Sequence, residues 1–474
     1  MRGINPRVNM IHSSEQQTLI QRAKQITEEL QQGVKKSYKE VISVCGDDTH
    51  SMGMKPLTFV RQVIATCIYP ELLQDDTIAT DARQRAERLL KECEGGSVGK
   101  YCSYSPIRGI HHSVCEFISK RDGGVPCSVE NIYICCGCQD ALLFVLNLLV
   151  HGEGLDQTGV LTPIPSYNAF VMGLESLGAV MVPYYLCEEE GWELRVEDLR
   201  KALYTSRSHC SPRILYVINP GIPTGHVQSR KSMEEVIRFA AEEKLFLFAD
   251  EVHQDTVYGE DSQFVSYKKV LFEMGPQYSD SMELASFHSV SKGFIGECGL
   301  RCGYVELVNI DPSVKPFVKA FFNIQRSPPI TGQIAMHIMV DPPKPGDPSY
   351  STFSQEVKFK KDTLVYNVQQ VQGIVDTLPG MSFQAGCGGI YAYLRLYLPP
   401  KALQQAKDEG TKPDRLYCMR LLEEEGVCLG VGTEFGQKEG TYHIRMCILT
   451  PTPKVKEVLS RLKSFHLRFL QEFA

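Results

Sequence analysis

The chain has 474 residues, more than one hydrophobic core usually serves, so two packed domains are expected. Apolar residues make up 43 % and charged residues 22 %, an ordinary globular balance. With 50 basic and 56 acidic side chains the formal charge is −6, which leaves no basic surplus for nucleic acid and no cationic cluster for a membrane surface.

Residues 1–13 hold no apolar signal core and no arginine-rich presequence pattern. The expected location is therefore the cytoplasm, or the mitochondrial matrix had a presequence been removed. Leu19, Ala23, Ile26 and Leu30 recur at helical spacing and Gly33 ends that helix. Val41–Val44 is a short apolar run closed by Cys45-Gly46-Asp47-Asp48. Helices are expected from about Pro56 and over Asp81–Cys93. Between Glu94 and Ile110 both periodicities vanish, and the stretch reads as a loop containing Tyr104 and Arg108. A helix over Ser113–Arg121 and a turn at Asp122-Gly123-Gly124 follow.

Asn131–Cys135 reads as a strand, with Gly137 and the helix Gln139–Val150 directly behind it. A glycine between strand and helix presents free N–H groups at the helix's positive end, an ordinary anion site. Cys135, Cys136 and Cys138 have no second cluster to complete a metal site, so no metal is expected. The 17 cysteines, odd in number and without repeated spacing, fit free thiols better than a disulfide scaffold.

From here strands alternate with helices: strands at Gly159–Thr162, Val180–Tyr185, Ile214–Ile218, Leu245–Ala249 and Leu284–His288, helices at Asn168–Leu177, Val196–Leu203 and Met233–Glu242. The pattern predicts an α/β fold with a mostly parallel sheet covered by helices. Ligands of such sheets bind beyond the carboxyl ends of the strands. Gly137, Tyr167, Asn219, Asp250 and Lys292 all fall at those ends. Each also suits a helix cap, a core side chain or a solvated turn; their shared position favours a site.

Ser289-Val290-Ser291-Lys292 is followed nine residues later by Arg301 between glycine-rich neighbours. A lysine among apolar and small residues is expected to lose its proton readily and to attack an aldehyde. Hydroxyls and a rigid guanidinium suit a phosphate. Asp250 could keep a pyridine nitrogen protonated, Tyr167 could cover a ring face, and Lys292 could hold the aldehyde of pyridoxal phosphate (PLP). Asp341–Tyr350, rich in proline, reads as a hinge. Beyond it come helices, short strands and His443–Leu449. The expected division is an amino-terminal segment 1–45, a large domain 46–340 and a smaller α+β domain 341–474.

Arg121-Asp122-Gly123-Gly124-Val125-Pro126, the Asn219–Gly225 loop, Ala285-Ser286-Phe287-His288-Ser289 and Phe435-Gly436-Gln437 together resemble the fold-type I, class I and II PLP-dependent aminotransferases over nearly the whole chain. The resemblance implies PLP as cofactor, Lys292 as its covalent anchor and Asp250 as partner of its ring nitrogen. It assigns Tyr167 to the ring face and Ser289 and Arg301 to the phosphate, with Cys138 and Gln139 at phosphate-turn positions where the family has small residues; Gly137 and Ser291 join them on their own chemistry. Tyr104 is assigned to the neighbouring subunit's phosphate, which implies a homodimer. Arg445 is assigned to the substrate α-carboxylate, with Gly46 and Asn219 beside it. The implied reaction transfers an amino group between L-alanine and 2-oxoglutarate, with small amino acids and 2-oxo acids as the partners.

Two departures stand out. The family's loop has asparagine where this chain has Ile222, and its tyrosine three residues after the aspartate is His253. Both positions normally contact the ring oxygen, so altered or weakened turnover is expected. The rival readings are a PLP-binding relative with little activity, and a lyase or transaminase for another amino acid.

Overall fold

A computed structural model describes Gly3 and residues 14–100, 107, 109–259, 262–324 and 328–474, without the side chain of Glu94. The chain opens with the helix Glu15–Gln31, which starts where Ser14 Oγ accepts the Gln17 N–H at 3.2 Å. Its periodic apolar residues Leu19, Ala23 and Ile26 are buried in a core shared with the carboxyl-terminal quarter of the chain. Strand β1 (Ile42–Ser43) runs parallel to residues 427–428 in that same region.

Helices Thr58–Ile68, Thr80–Glu92, Ile110–Arg121 and Ile330–Val340 form a separate core around Val60, Leu89, Ile118 and Ile334. They flank the main sheet, which consists of β2 (Ile132–Cys135), β3 (Thr158–Ile164), β4 (Val180–Tyr185), β5 (Ser211–Ile218), β6 (Phe246–Asp250), β7 (Leu284–Ser289) and β8 (Gly303–Val308). Their order is β2-β8-β7-β6-β5-β3-β4. Strand β8 is antiparallel to both neighbours and the remaining pairings are parallel. Both faces are covered, which is why the central strands are continuous apolar runs rather than alternating ones. Phe144, Phe170, Tyr216 and Phe287 fill one face, and Leu199, Val236, Phe239 and Tyr267 the other.

The carboxyl-terminal sheet contains β9 (Met381–Phe383), β10 (Tyr391–Leu396), β12 (Gly430–Val431) and β13 (Tyr442–Cys447) in the order β12-β13-β10-β9, all antiparallel; β11 (Val427–Cys428) is the partner of β1. Helices Tyr350–Val375, Pro413–Glu425 and Thr452–Glu472 cover it. Glu188, which follows β4, reaches across to this sheet: it accepts from Arg395 Nη1 at 2.8 Å and lies 3.2 Å from His443 Nε2. Gly225 and Gly386 meet backbone to backbone beside it, where a Cβ on Gly386 would lie 2.4 Å from Gly225. The two sheets therefore approach each other at the loop Asn219–Gly225.

The sequence reading named no element at β8, β9, Tyr267–Glu273 or Pro400–Asp408. The omission at β8 has a physical source. Glu306 interrupts its apolar run, yet it is buried because Lys268, from Tyr267–Glu273, reaches it with Nζ 2.5 Å from Oε1 and both side chains 1 % exposed. A charge can be buried when it is paired, and that partner lies 38 residues away in sequence.

Candidate functional site

The carboxyl ends of β2, β3, β6 and β7 converge on a cavity of about 210 Å³. Among its lining residues are Cys138, Gln139, Tyr167, Asp250, Ser289, Ser291, Lys292, Arg301 and Arg445, brought together from distant parts of the chain. Asp47, Ile222 and Tyr391 line it as well.

At one end, Gly137 caps the helix Cys138–Leu149 with φ of 101°, a conformation that favours glycine. A Cβ there would stand 2.7 Å from Arg301 Nη2. The Arg301 guanidinium donates to Cys136 O at 3.0 Å, to Cys298 O at 2.9 Å and to Ser291 Oγ at 3.4 Å. Ser289 Oγ accepts from the Ser291 N–H at 3.3 Å. Helix N-terminus, two hydroxyls and a guanidinium form one cradle suited to a phosphate.

At the other end Asp250, the last residue of β6, is buried. It accepts from Tyr216 Oη at 2.9 Å and from the Val252 N–H at 3.3 Å. Burial pushes its pKa up to about 6, against the lowering effect of those hydrogen bonds. Cys138 Sγ lies 3.8 Å from Oδ1, the oxygen that takes the Val252 N–H. Gln139 is tied back through Nε2 to Ala169 O at 2.8 Å, while its Oε1 is buried without a partner. Tyr167 stands at the start of the helix Asn168–Leu177.

Lys292 sits in the turn after β7. Its Nζ bonds the Asp47 carboxylate and lies 3.4 Å from Tyr391 Oη. Here the structure corrects the sequence reading. Burial does favour the neutral amine, but its two neighbours, the Tyr391 phenol and the Asp47 carboxylate, outweigh it and hold the lysine above its ordinary range. Asp47 is held correspondingly low, first by Lys292 and, against burial, by Arg445.

Arg445 comes from β13, opposite Gly430 of β12. Its Nη2 donates to Cys45 O at 2.5 Å, and its guanidinium stacks 4.4 Å from the rings of both Tyr391 and Phe435. Its Nε is buried without a partner. A guanidinium seated against two rings, with its fork fixed, suits a planar carboxylate.

Three further positions stand outside the cavity lining. Asn219 does not line the cavity; its Oδ1 accepts the Gln228 N–H at 3.0 Å, so it closes its own loop. His253 does not line the cavity either; its Nδ1 is 3.3 Å from Thr256 Oγ1, its Nε2 is buried without a partner, and its ring meets that of Tyr391. Burial pushes its pKa down to about 3, so it is neutral. Gly46 does not line the cavity itself but joins Cys45, whose carbonyl takes the Arg445 Nη2–H, to Asp47 in the cavity wall. Tyr104 lies outside the described residues.

Asp47 and Tyr391 are the residues that sequence reasoning missed. Asp47 was legible only as the neighbour of Gly46, and Tyr391 only as a member of an apolar strand.

The cavity matches PLP in its donor set: an anion cradle, a buried carboxylate at the opposite end and a lysine between them. Comparison with known proteins agrees. Residues 69–462 match the family described as aminotransferase class I and II. The chain is 47 % identical over 472 residues to alanine aminotransferase 2 of Xenopus laevis, covering 100 % of this chain and 87 % of that one. It is also 47 % identical to alanine aminotransferase 1 of Homo sapiens, covering 100 % and 95 %. Among solved structures, an alanine aminotransferase from Pyrococcus furiosus superimposes with a TM-score of 0.76 at 18 % identity, covering 98 % of this chain and 100 % of that one.

Proposed function

Because the chain belongs to the class I and II aminotransferases, we propose that it transfers an amino group between L-alanine and 2-oxoglutarate, giving pyruvate and L-glutamate. The observation that carries the reading is the single cavity that unites Lys292, Asp250, Arg301 and Arg445. The cofactor is PLP, which when bound supplies an aldehyde to take up the amino group and a ring that withdraws electrons from the substrate α-carbon.

The chain's own residues supply the rest. Gly137, Ser289, Ser291 and Arg301 would hold the phosphate. Asp250, ionised at neutral pH, would keep a proton on the ring nitrogen, and Tyr167 would cover one ring face. Arg445 binds the α-carboxylate through its planar fork and so orients the bond at the α-carbon. As the neutral amine, Lys292 Nζ would take the proton from that carbon and deliver it to the carbon that had carried the cofactor's aldehyde. Phe435 and Tyr391 exclude water around Arg445, which strengthens its hold on an anion. The reading includes a homodimer in the cytoplasm, in which Tyr104 serves the partner's phosphate.

The test is pyruvate release from L-alanine and 2-oxoglutarate by the purified protein supplied with PLP, followed in parallel with Lys292→Ala. Pyruvate from the parent protein and none from the variant supports the reading. A parent protein that binds PLP at Lys292 yet yields no pyruvate overturns it.

A further inference from the structure

The expected ring-side phenol at 253 is a histidine, and its imidazole does not line the cavity. A phenol nevertheless reaches the lysine. Tyr391 is 3 % exposed, lines the cavity, and places Oη 3.4 Å from Lys292 Nζ. It comes from β10, in the carboxyl-terminal sheet, rather than from the loop after β6. We propose that the Tyr391 hydroxyl orients the Lys292 amine for proton transfer, and that the same ring seats Arg445, so that one residue couples carboxylate recognition to the alignment of the lysine.

Three observations fix the residue in that role. Arg445 Cζ lies 4.4 Å from the Tyr391 ring centroid, so the aromatic face supports the guanidinium while the hydroxyl edge meets the lysine. The His253 imidazole meets the same ring edge-on, with centroids 5.8 Å apart and planes at 86°, which limits rotation of the phenol. Strands β10 and β13 pair Tyr391 with Cys447 and Tyr393 with Arg445, so Tyr391 and Arg445 ride on one rigid ladder. The charged and titratable groups facing Tyr391 are Lys292, Asp47, Arg445 and Cys447, with the His253 ring against its edge. Burial keeps the phenol protonated, so it offers a hydroxyl rather than a phenolate.

As an acceptor from the lysine, the hydroxyl holds Nζ in one direction; as a donor, it can bond the neutral amine's lone pair between turnovers. Removing it leaves the ring, and with it the seat of Arg445, in place. The loss should therefore fall on the proton-transfer step and spare carboxylate binding.

The inference rests on the function proposed above, and Tyr391→Phe tests it separately. The holoenzymes of the parent, Tyr391→Phe and a control, Tyr393→Phe, are titrated from pH 5 to 10 by absorbance of the lysine-linked cofactor. The Tyr393 hydroxyl is buried two residues along the same strand without a partner, so it reports on general disturbance of β10. Cofactor content establishes that each variant is folded. In Tyr391→Phe the midpoint should move by about half a pH unit or more, and kcat should fall roughly tenfold or further, with KM for L-alanine within about threefold. In Tyr393→Phe the midpoint should stay in place. An unchanged midpoint in Tyr391→Phe, or an equal movement in both variants, overturns the inference. So does a rise in KM without a fall in kcat, which would mean that the residue only seats Arg445. A parent protein with no lysine-linked absorbance would instead overturn the proposed function itself.

Discussion

Replacing Asp47 by asparagine should make Lys292 a faster nucleophile at neutral pH. Lysine attacks an aldehyde only as the neutral amine, and in the structure the Asp47 carboxylate bonds Nζ directly. An opposite charge at that range changes a proton equilibrium by roughly 10- to 1000-fold. The Asp47 side chain is 44 % exposed, so water screens it and the effect belongs at the lower end, about tenfold. Burial of Lys292, whose side chain is 13 % exposed, and the nearby Arg445 both work toward the neutral form once the carboxylate charge is gone. The sign follows from the raised position of the lysine: well below its pKa, capture accelerates about tenfold for each pH unit gained. The Asp47→Asn curve should therefore rise at lower pH and give about tenfold faster capture of PLP at pH 7. The assay is stopped-flow absorbance of cofactor-free protein mixed with PLP from pH 6 to 9, with borohydride trapping to confirm attachment at Lys292. Superimposed curves, or slower capture by the variant across the range, would refute the reasoning.

Gly137→Ala forces a side chain into a backbone region costing about 1–3 kcal/mol and against Arg301 at 2.7 Å. PLP should bind roughly tenfold more weakly, as read by fluorescence titration, with the circular dichroism spectrum unchanged. Lys268→Met strands the buried Glu306 carboxylate and should cost about 3–5 kcal/mol in urea unfolding. Adding Glu306→Met should recover most of that loss, because the desolvated charge is then gone too. Ile222→Asn introduces an amide at the cavity wall where the family has one. A gain of about 1 kcal/mol, or several-fold in kcat/KM for L-alanine, is expected in a pyruvate-coupled assay.

The alternation of apolar runs and helices made the parallel strands legible, because a strand buried on both faces has to be apolar throughout. Strand β8 escaped for the opposite reason. Its Glu306 looks like a surface charge until Lys268 is seen beside it, and no local pattern links those two positions. In the site, Lys292, Asp250 and Arg301 were legible because their chemistry and their place at strand ends agree. The environment of Lys292 was not, since local composition predicts only burial and Asp47 arrives from 245 residues away. Asn219 Oδ1 closes its own loop on Gln228, whereas His253 keeps Nε2 unpartnered beside the Tyr391 ring, and no local pattern separates the two outcomes.

The late place of β8 in the chain sets a timetable for its growth. Strand β2 has β8 as its one neighbour in the sheet, and the bond from Arg301 to Cys136 O spans 165 residues. During synthesis from the amino end, β2 leaves the ribosome long before the segment that will cover its edge, and an unpaired apolar edge invites other chains. The anion cradle is complete only when β8 slides between β2 and β7. Cofactor can therefore recruit no early folding intermediate and can only lock an almost finished sheet.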